Sequence, residues 1–170
     1  TSGSIQGNVS MGTILASDYA IGFDTLMQYY RKPYTEAEMQ LQDSVIKHFE
    51  NLSFRPYVGR ASQKLLDKFA FDLPTGITMT APGFYGPQGR NVRSQNIYPD
   101  LIRKASSFEI SGRNITNLEM ETAGIYALGN MFGHHAISIN AILASRVNES
   151  FCTNPREIVD KAIRTVLDRL

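Results

Sequence analysis

A chain of 170 residues fits one domain and is long enough to bury a core without disulfides or a structural metal. Lysine plus arginine number 17 and aspartate plus glutamate 16, a net charge of +1, which excludes the basic excess that a general nucleic-acid or membrane-surface role needs. Apolar residues at 42%, with 13 Gly and 7 Pro, exclude disorder and collagen-like repeats, and the single Cys152 excludes an internal disulfide or a CxxC pair.

No apolar run approaches the ~20 residues of a membrane span, and no basic-then-apolar segment opens the chain. The expectation is a soluble, cytoplasmic protein, with the Asn-x-Ser/Thr triplets at Asn8, Asn51, Asn114 and Asn148 arising by chance. Thr1-Ser2-Gly3-Ser4 has no initiator Met and reads as the middle of a small-residue loop, so the chain is expected to be the C-terminal part of something longer.

Thr13–Tyr19 mixes β-branched and apolar residues and reads as a strand, followed by an irregular aromatic stretch to Tyr34. Thr35-Glu36-Ala37-Glu38 has capping-box spacing and announces a helix to about Asn51, with Leu41, Val45, Ile46 and Phe49 on its inner face. Phe54–Val58 reads as a short strand that Pro56 places at an edge. Ser62 caps a short helix carrying Leu65, Leu66 and Phe69, and Ile77–Thr80 is an apolar strand entering the loop Ala81–Arg90. Pro99 at a first helical position starts a helix to about Ser106. Ile115–Glu119 reads as a strand, and Thr122–Phe132 as a small-residue helix stopped by Gly133. Ala136–Ala144 is the most apolar strand, expected to be buried on both faces. Asn154-Pro155 opens a last helix with Ile158, Ala162, Ile163, Val166 and Leu170 inward. Strands alternating with helices argue one α/β domain over residues 1–170 with a parallel or mixed sheet.

In such folds ligands gather on the loops that follow strands. Thr1-Ser2-Gly3 offers backbone N–H groups that an anion can approach closely, or is an ordinary turn. Gly83–Arg90 holds an aromatic ring, an amide and a guanidinium. A planar heterocycle could rest on Phe84 while Gln88 and Arg90 bond its polar edge; the plain alternative is a surface loop with a packed Phe and a solvated Arg. In Asn117–Glu121, Glu119 and Glu121 at a strand end point the same way, with Met120 opposite, and a carboxylate there can accept from the vicinal hydroxyls of a sugar. The alternative is that both acids merely complement a helix dipole, worth about 0.3–1 kcal/mol each. Ala144-Ser145-Arg146 is a polar pair leaving the most apolar strand, toward a ligand or simply toward solvent. His48 reads as solvated, and His134-His135 as imidazoles near free helix-end carbonyls. No metal-ligand spacing and no Ser/His/Asp arrangement is present.

Four motifs, Thr1–Gln6, Thr80–Arg90, Asn117–Ala123 and Ile142–Arg146, together resemble the nucleoside phosphorylase family, most closely its uridine phosphorylase branch, in the family's order and with similar spacing over residues 1 to about 150. The resemblance implies a three-layer α/β/α sandwich with a mixed, largely parallel sheet. It also implies reversible phosphorolysis of a pyrimidine nucleoside, such as uridine, to free base and ribose 1-phosphate, with phosphate as co-substrate and no cofactor or metal. By position, Thr1 looks like the threonine that contacts phosphate and ribose, and Ser2 and Gly3 like contacts beside the base. Phe84 is similar to the ring that packs on the base, and Gln88 and Arg90 to the pair that reads the uracil edge and assists catalysis. Met120 and Glu121 resemble the sugar contacts, Glu121 holding the 2′- and 3′-hydroxyls. Leu143 and Ala144 would line the base pocket, with Arg146 near the uracil O4 side.

Two departures touch fine geometry: Ser2 stands where many relatives have a second threonine, and Ser145 where some have Asn. The resemblance further implies a homo-oligomer built from dimers, each site completed by a neighbouring subunit and by phosphate ligands upstream of Thr1, so that the isolated chain lacks activity. Purine-acting relatives place an Asp in the segment aligned with Ser145-Arg146, and its absence here favours a pyrimidine. A purine phosphorylase or a water-using nucleosidase of the same fold, and a non-enzymatic nucleoside-binding or storage relative, remain the alternatives.

Overall fold

Strand pairing in the computed structural model, which describes residues 1–170, is governed by one long strand. The nine residues of β2 (Ile14–Gly22) are enough to pair with three neighbours. Its first half, Ile14–Ser17, runs antiparallel to β7 (Ser138–Ser145), and its second half, Tyr19–Gly22, runs antiparallel to β3 (Tyr57–Arg60). Along its other edge it is parallel to β4 (Thr75–Thr80), with the register broken between Ser17 and Tyr19. Asp18 is the extra residue of that bulge, and a bulge bends the strand and increases its twist.

From β4 the sheet continues through β6 (Arg113–Glu119) and β1 (Ser2–Ser4) to β7, which returns to β2. Five strands therefore close into a barrel, β2-β4-β6-β1-β7, with β3 and the two-residue β8 (Ser150–Phe151) appended and β5 (Glu109–Ile110) forming a hairpin with β6. The sheet is mixed, as the sequence suggested. It is not a flat layer of a three-layer sandwich and not largely parallel, since only the β1–β7, β2–β4 and β4–β6 pairings are parallel. The reason is β2, which after its bulge leaves β7 for a new partner and so joins both ends of the sheet.

The helices follow from local signals. Thr35 and Glu38 form both arms of the expected capping box at the start of α1 (Glu36–His48), and Glu38 Oε1 also accepts a 2.7 Å ion pair from the buried Lys32. The face of α1 bearing Leu41, Val45 and Phe49 meets Ile21, Val58, Ile77, Met79 and Ile115 in the larger core cluster; Ile46 stays half-buried. α2 (Gln63–Phe69) has Ser62 at its N-cap position, but that hydroxyl lies 2.8 Å from His135 Nδ1 and makes no cap bond. α3 (Leu101–Ser107) starts after Asp100, so Pro99 lies outside it. α4 (Thr122–Met131) is followed by Gly133 at φ 70°, the left-handed stop the sequence announced. It packs so close to β3 that a Cβ on Gly59 would stand 2.7 Å from Tyr126 Cβ and 3.0 Å from the Ala127 nitrogen.

Three further expectations are corrected. Ser2–Ser4 is a strand inside the sheet, because pairing on both edges overrides the weak strand preference of three small residues. His48 is not solvated: its Nε2 lies 2.8 Å from the Lys104 carbonyl, and its ring meets Phe49 and Phe108 edge-on. α5 (Pro155–Leu167) covers β7, yet none of its residues is buried, and Ile163 is half-exposed. No helix is long and apolar enough to cross a membrane.

Burial at the bulge raises Asp18 above its ordinary 3.8, although the Arg113 guanidinium beside it pulls the other way. A carboxyl raised on folding binds its proton more tightly in the native state. Its contribution is fully present below 3.8 and is lost as pH rises through the folded value. Asp18→Asn removes that loss, so its stability relative to the parent is expected to increase from pH 3.8 upward and then level off. Urea denaturation of both proteins across this range checks the sign.

Candidate active site

The chains leaving β4 and β6 deliver two of the four motifs side by side. After Thr80 the loop turns at Gly83 (φ 112°), makes a short 3₁₀ turn over Gly86–Gln88 and reverses at Gly89 (φ 73°). Both glycines adopt backbone conformations that side chains disfavour. The loop closes on itself through Arg90, whose Nη1 donates to the Phe84 carbonyl at 2.6 Å and to Gln88 Oε1 at 2.8 Å. The same guanidinium lies 3.8 Å from the centre of the Phe84 ring. Gln88 is buried, and Arg146 from the end of β7 donates to its backbone carbonyl at 3.0 Å. Burial, and then the charge of Arg146, hold Arg90 below the usual guanidinium value; burial lowers Arg146 likewise. Two cations thus share one end of the site, held by packing and by carbonyl acceptors.

Where β6 hands over to α4, the two carboxylates part company. β6 ends at Glu119, so Met120 and Glu121 belong to the turn into α4, and the strand alternation that put Glu119 and Glu121 together does not apply. Glu119 is buried and turned under the turn: Oε2 accepts from the Glu121 and Thr122 nitrogens and from the Thr122 hydroxyl, each at 2.8 Å, while Thr80 donates to Oε1. Thr80 Oγ1 in turn accepts from the Ala123 nitrogen. Glu119 therefore serves the first-turn N–H groups of α4, which the N-cap residue Glu121 leaves without a side-chain partner. Glu121 itself is exposed, and its only bond is a 3.3 Å contact from the Met120 nitrogen.

These segments line one cavity of about 660 Å³. It contains Thr1, Ser2, Gly3, Phe84, Gln88, Arg90, Met120, Glu121, Leu143, Ala144 and Arg146, which are all the residues singled out from the sequence as ligand contacts. Met120 lines it beside Glu121 rather than facing away. β7 is parallel to β1 and therefore antiparallel to β6, and one wall of the cavity is made by Ser2 and Gly3 of β1 with Leu143 and Ala144 at the end of β7. Leu118, Phe151, Cys152 and Pro155 also line it and were missed. Phe151 arrives because β8 folds back on β7, pairing with Ala144, and Cys152 N donates to the Leu143 carbonyl at 2.8 Å. The polar turn Arg146–Glu149 before Ser150-Phe151 was the available hairpin signal. No group of three or more His, Cys, Asp and Glu side chains is placed to hold a metal ion.

Comparison with known proteins gives the family of the chain. The family model described as the phosphorylase superfamily matches residues 1–168. A curated uridine phosphorylase of Thermococcus kodakarensis is 27% identical over 153 residues, covering 89% of this chain and 48% of that protein. The chain thus spans about half the length of the curated relative it matches. A solved Trypanosoma brucei nucleoside phosphorylase, described as showing uridine phosphorylase activity, shares the fold at a TM-score of 0.86 and 22% identity over 100% of this chain and 61% of that one. A uridine phosphorylase from Schistosoma mansoni in its apo form aligns at a TM-score of 0.59 and 21% identity, over 98% and 55% of the two chains. With the family model running nearly end to end and the four motifs meeting in one cavity, the chain belongs to the phosphorylase superfamily.

Proposed function

We propose that this chain carries the base- and sugar-binding part of a uridine phosphorylase-like enzyme, a pentosyltransferase that converts a pyrimidine nucleoside and phosphate to free base and ribose 1-phosphate. The observation that carries the reading is the lining of one cavity, which combines the Arg90 and Arg146 guanidiniums on the Gln88 loop, the Phe84 ring against Arg90, the apolar Leu143 and the exposed carboxylate of Glu121. The exposed carboxylate of Glu121 accepts from vicinal ribose hydroxyls. The uracil edge meets Gln88 and Arg90, and the aromatic wall packs on the base. As the glycosidic bond breaks, negative charge spreads toward the carbonyl oxygens of the base, where the guanidiniums stabilise it. Phosphate, held beside Thr1, attacks the sugar carbon, and the bonding electrons leave with the base; no covalent enzyme intermediate is required.

Both lining cations are turned onto the base loop, so the phosphate side has only Thr1 and backbone N–H groups in this chain. In this reading phosphate ligands and a second subunit complete the site, the assembly being a homo-oligomer of dimers with the exposed Met120–Glu121 edge facing the partner. The intact protein should release uracil from uridine only when phosphate is present, with ribose 1-phosphate as the second product. The 170-residue chain alone should not turn uridine over. Uracil release by the intact protein in phosphate-free buffer, followed by liquid chromatography, would identify a nucleosidase instead, and no release under either condition would identify a binding protein.

A further inference from the structure

The closed barrel joins one polar side chain from each of its five strands in a single hydrogen-bonded series: Asn140 of β7, Ser17 of β2, Thr78 of β4, Asn117 of β6 and Ser2 of β1. All five are buried, and only Ser2 lines the cavity. The direction of the series follows from one charge. Thr122 uses its single hydrogen on the Glu119 carboxylate at 2.8 Å, so across the 3.0 Å contact between the Thr122 and Ser138 hydroxyls Ser138 is the donor. With its own hydrogen engaged, Ser138 accepts from Asn140 Nδ2 at 3.1 Å, which orients that amide. Asn140 Nδ2 also donates to Ser17 at 2.9 Å, Ser17 then donates to Thr78 at 2.5 Å, and Thr78 donates to Asn117 Oδ1 at 2.9 Å. Asn117 Nδ2 is left to donate to Ser2 Oγ at 2.9 Å. Ser2 makes no other side-chain hydrogen bond within the chain, so its hydrogen is the one the series leaves over.

We infer that this series, oriented by Glu119, makes Ser2 a hydrogen-bond donor toward the cavity, and that Asn117 and Asn140 are positioning residues that select an acceptor oxygen on the nucleoside at that place. The inference rests on the nucleoside reading. It predicts that reversing the series abolishes the effect of Ser2 without touching the cavity wall. Asn117→Asp replaces the donor facing Ser2 by an acceptor of the same shape that Thr78, Thr116 and Ser2 can all serve. Asn140→Asp would draw hydrogens from Ser17 and Ser138 and turn every later bond around.

The test is uridine binding to the intact protein by calorimetry, with thermal unfolding as a folding check. Ser2→Ala, Asn117→Asp and Asn140→Asp should each weaken binding about tenfold or more. In the Ser2→Ala background neither Asp substitution should weaken it further by more than about twofold. Additive losses, or unchanged binding in Asn140→Asp, overturn the inference while leaving the nucleoside reading intact. If both Asp variants fail to fold, Ser2→Ala decides alone, and a loss below twofold overturns it. Absence of uridine binding by the unsubstituted intact protein overturns the nucleoside reading and this inference together.

Discussion

Arg90→Ala in the intact enzyme is expected to lower kcat/KM for uridine by on the order of 100-fold, about 2.7 kcal/mol of transition-state stabilisation. The guanidinium has three partners at once: the Phe84 ring, the Phe84 carbonyl and Gln88 Oε1. On the proposed reading its removal takes away a cation where charge develops on the leaving base, and it also frees the Gln88 amide proposed to read the base edge. A site built to bond polar groups loses more than a surface bond when one partner disappears, because the remaining partners are left unpaired. Much of the loss belongs in kcat, since the base gains its charge only as the bond breaks. Glu121→Ala should separate from it, weakening recognition of the ribose while leaving the binding of free uracil and thymine nearly unchanged. Steady-state kinetics of both variants with uridine and direct binding of the free bases distinguish them. An Arg90→Ala enzyme within about threefold of the parent, a shift of only ~0.65 kcal/mol, would return the Phe84–Arg90 loop to a solvated turn with one packed aromatic.

The second large effect is expected at Glu119, a residue that sequence reasoning weighed only as one of two acids. Its carboxylate accepts four hydrogen bonds, two of them from first-turn N–H groups of α4. The Thr80 and Thr122 hydroxyls can rotate to other acceptors after Glu119→Ala, but the backbone groups cannot. Leaving the buried Thr122 N–H unpaired costs about 1–3 kcal/mol, while the N–H of the exposed Glu121 can be met by water, so a stability loss of roughly 1–3 kcal/mol is expected in urea denaturation. The loss should extend to ribose recognition, because the turn that Glu119 holds carries Met120 and Glu121. Glu119→Gln retains one carbonyl oxygen for the N–H groups and should recover most of the stability. Equal destabilisation by Gln and Ala would show that the charge, rather than the acceptor geometry, is what α4 requires.

The local signals were legible where one short segment carried the whole instruction. Thr35 and Glu38 start α1 because a capping box is complete within four residues, and Gly133 ends α4 because a left-handed stop needs only one residue. The four motifs were likewise readable in their order, and each proved to be a wall of the same cavity. Cap and start signals failed where a distant partner competed. Ser62 stands at its expected place but its hydroxyl meets His135, 73 residues away in sequence, and Ser2–Ser4 becomes a strand only through β6 and β7.

What the sequence determined by itself was the five helices and the strands β2, β3, β4, β6 and β7, the α/β class and the residue types gathered on four segments, since helix caps, apolar periodicity and glycine turns act over a few residues. What only the tertiary structure decided was the closure of the sheet and the direction of its polar groups. The bulge at Asp18 lets β2 change partners, and this brings Asn140, Ser17, Thr78, Asn117 and Ser2 into hydrogen-bonding distance across sequence separations of 123, 61, 39 and 115. It also separated two acids that alternation had made equivalent, burying Glu119 as a helix support and leaving Glu121 free. Buried hydrogen bonds are satisfied by whichever donor or acceptor the closed barrel brings near, and no periodicity along the chain encodes which one that is.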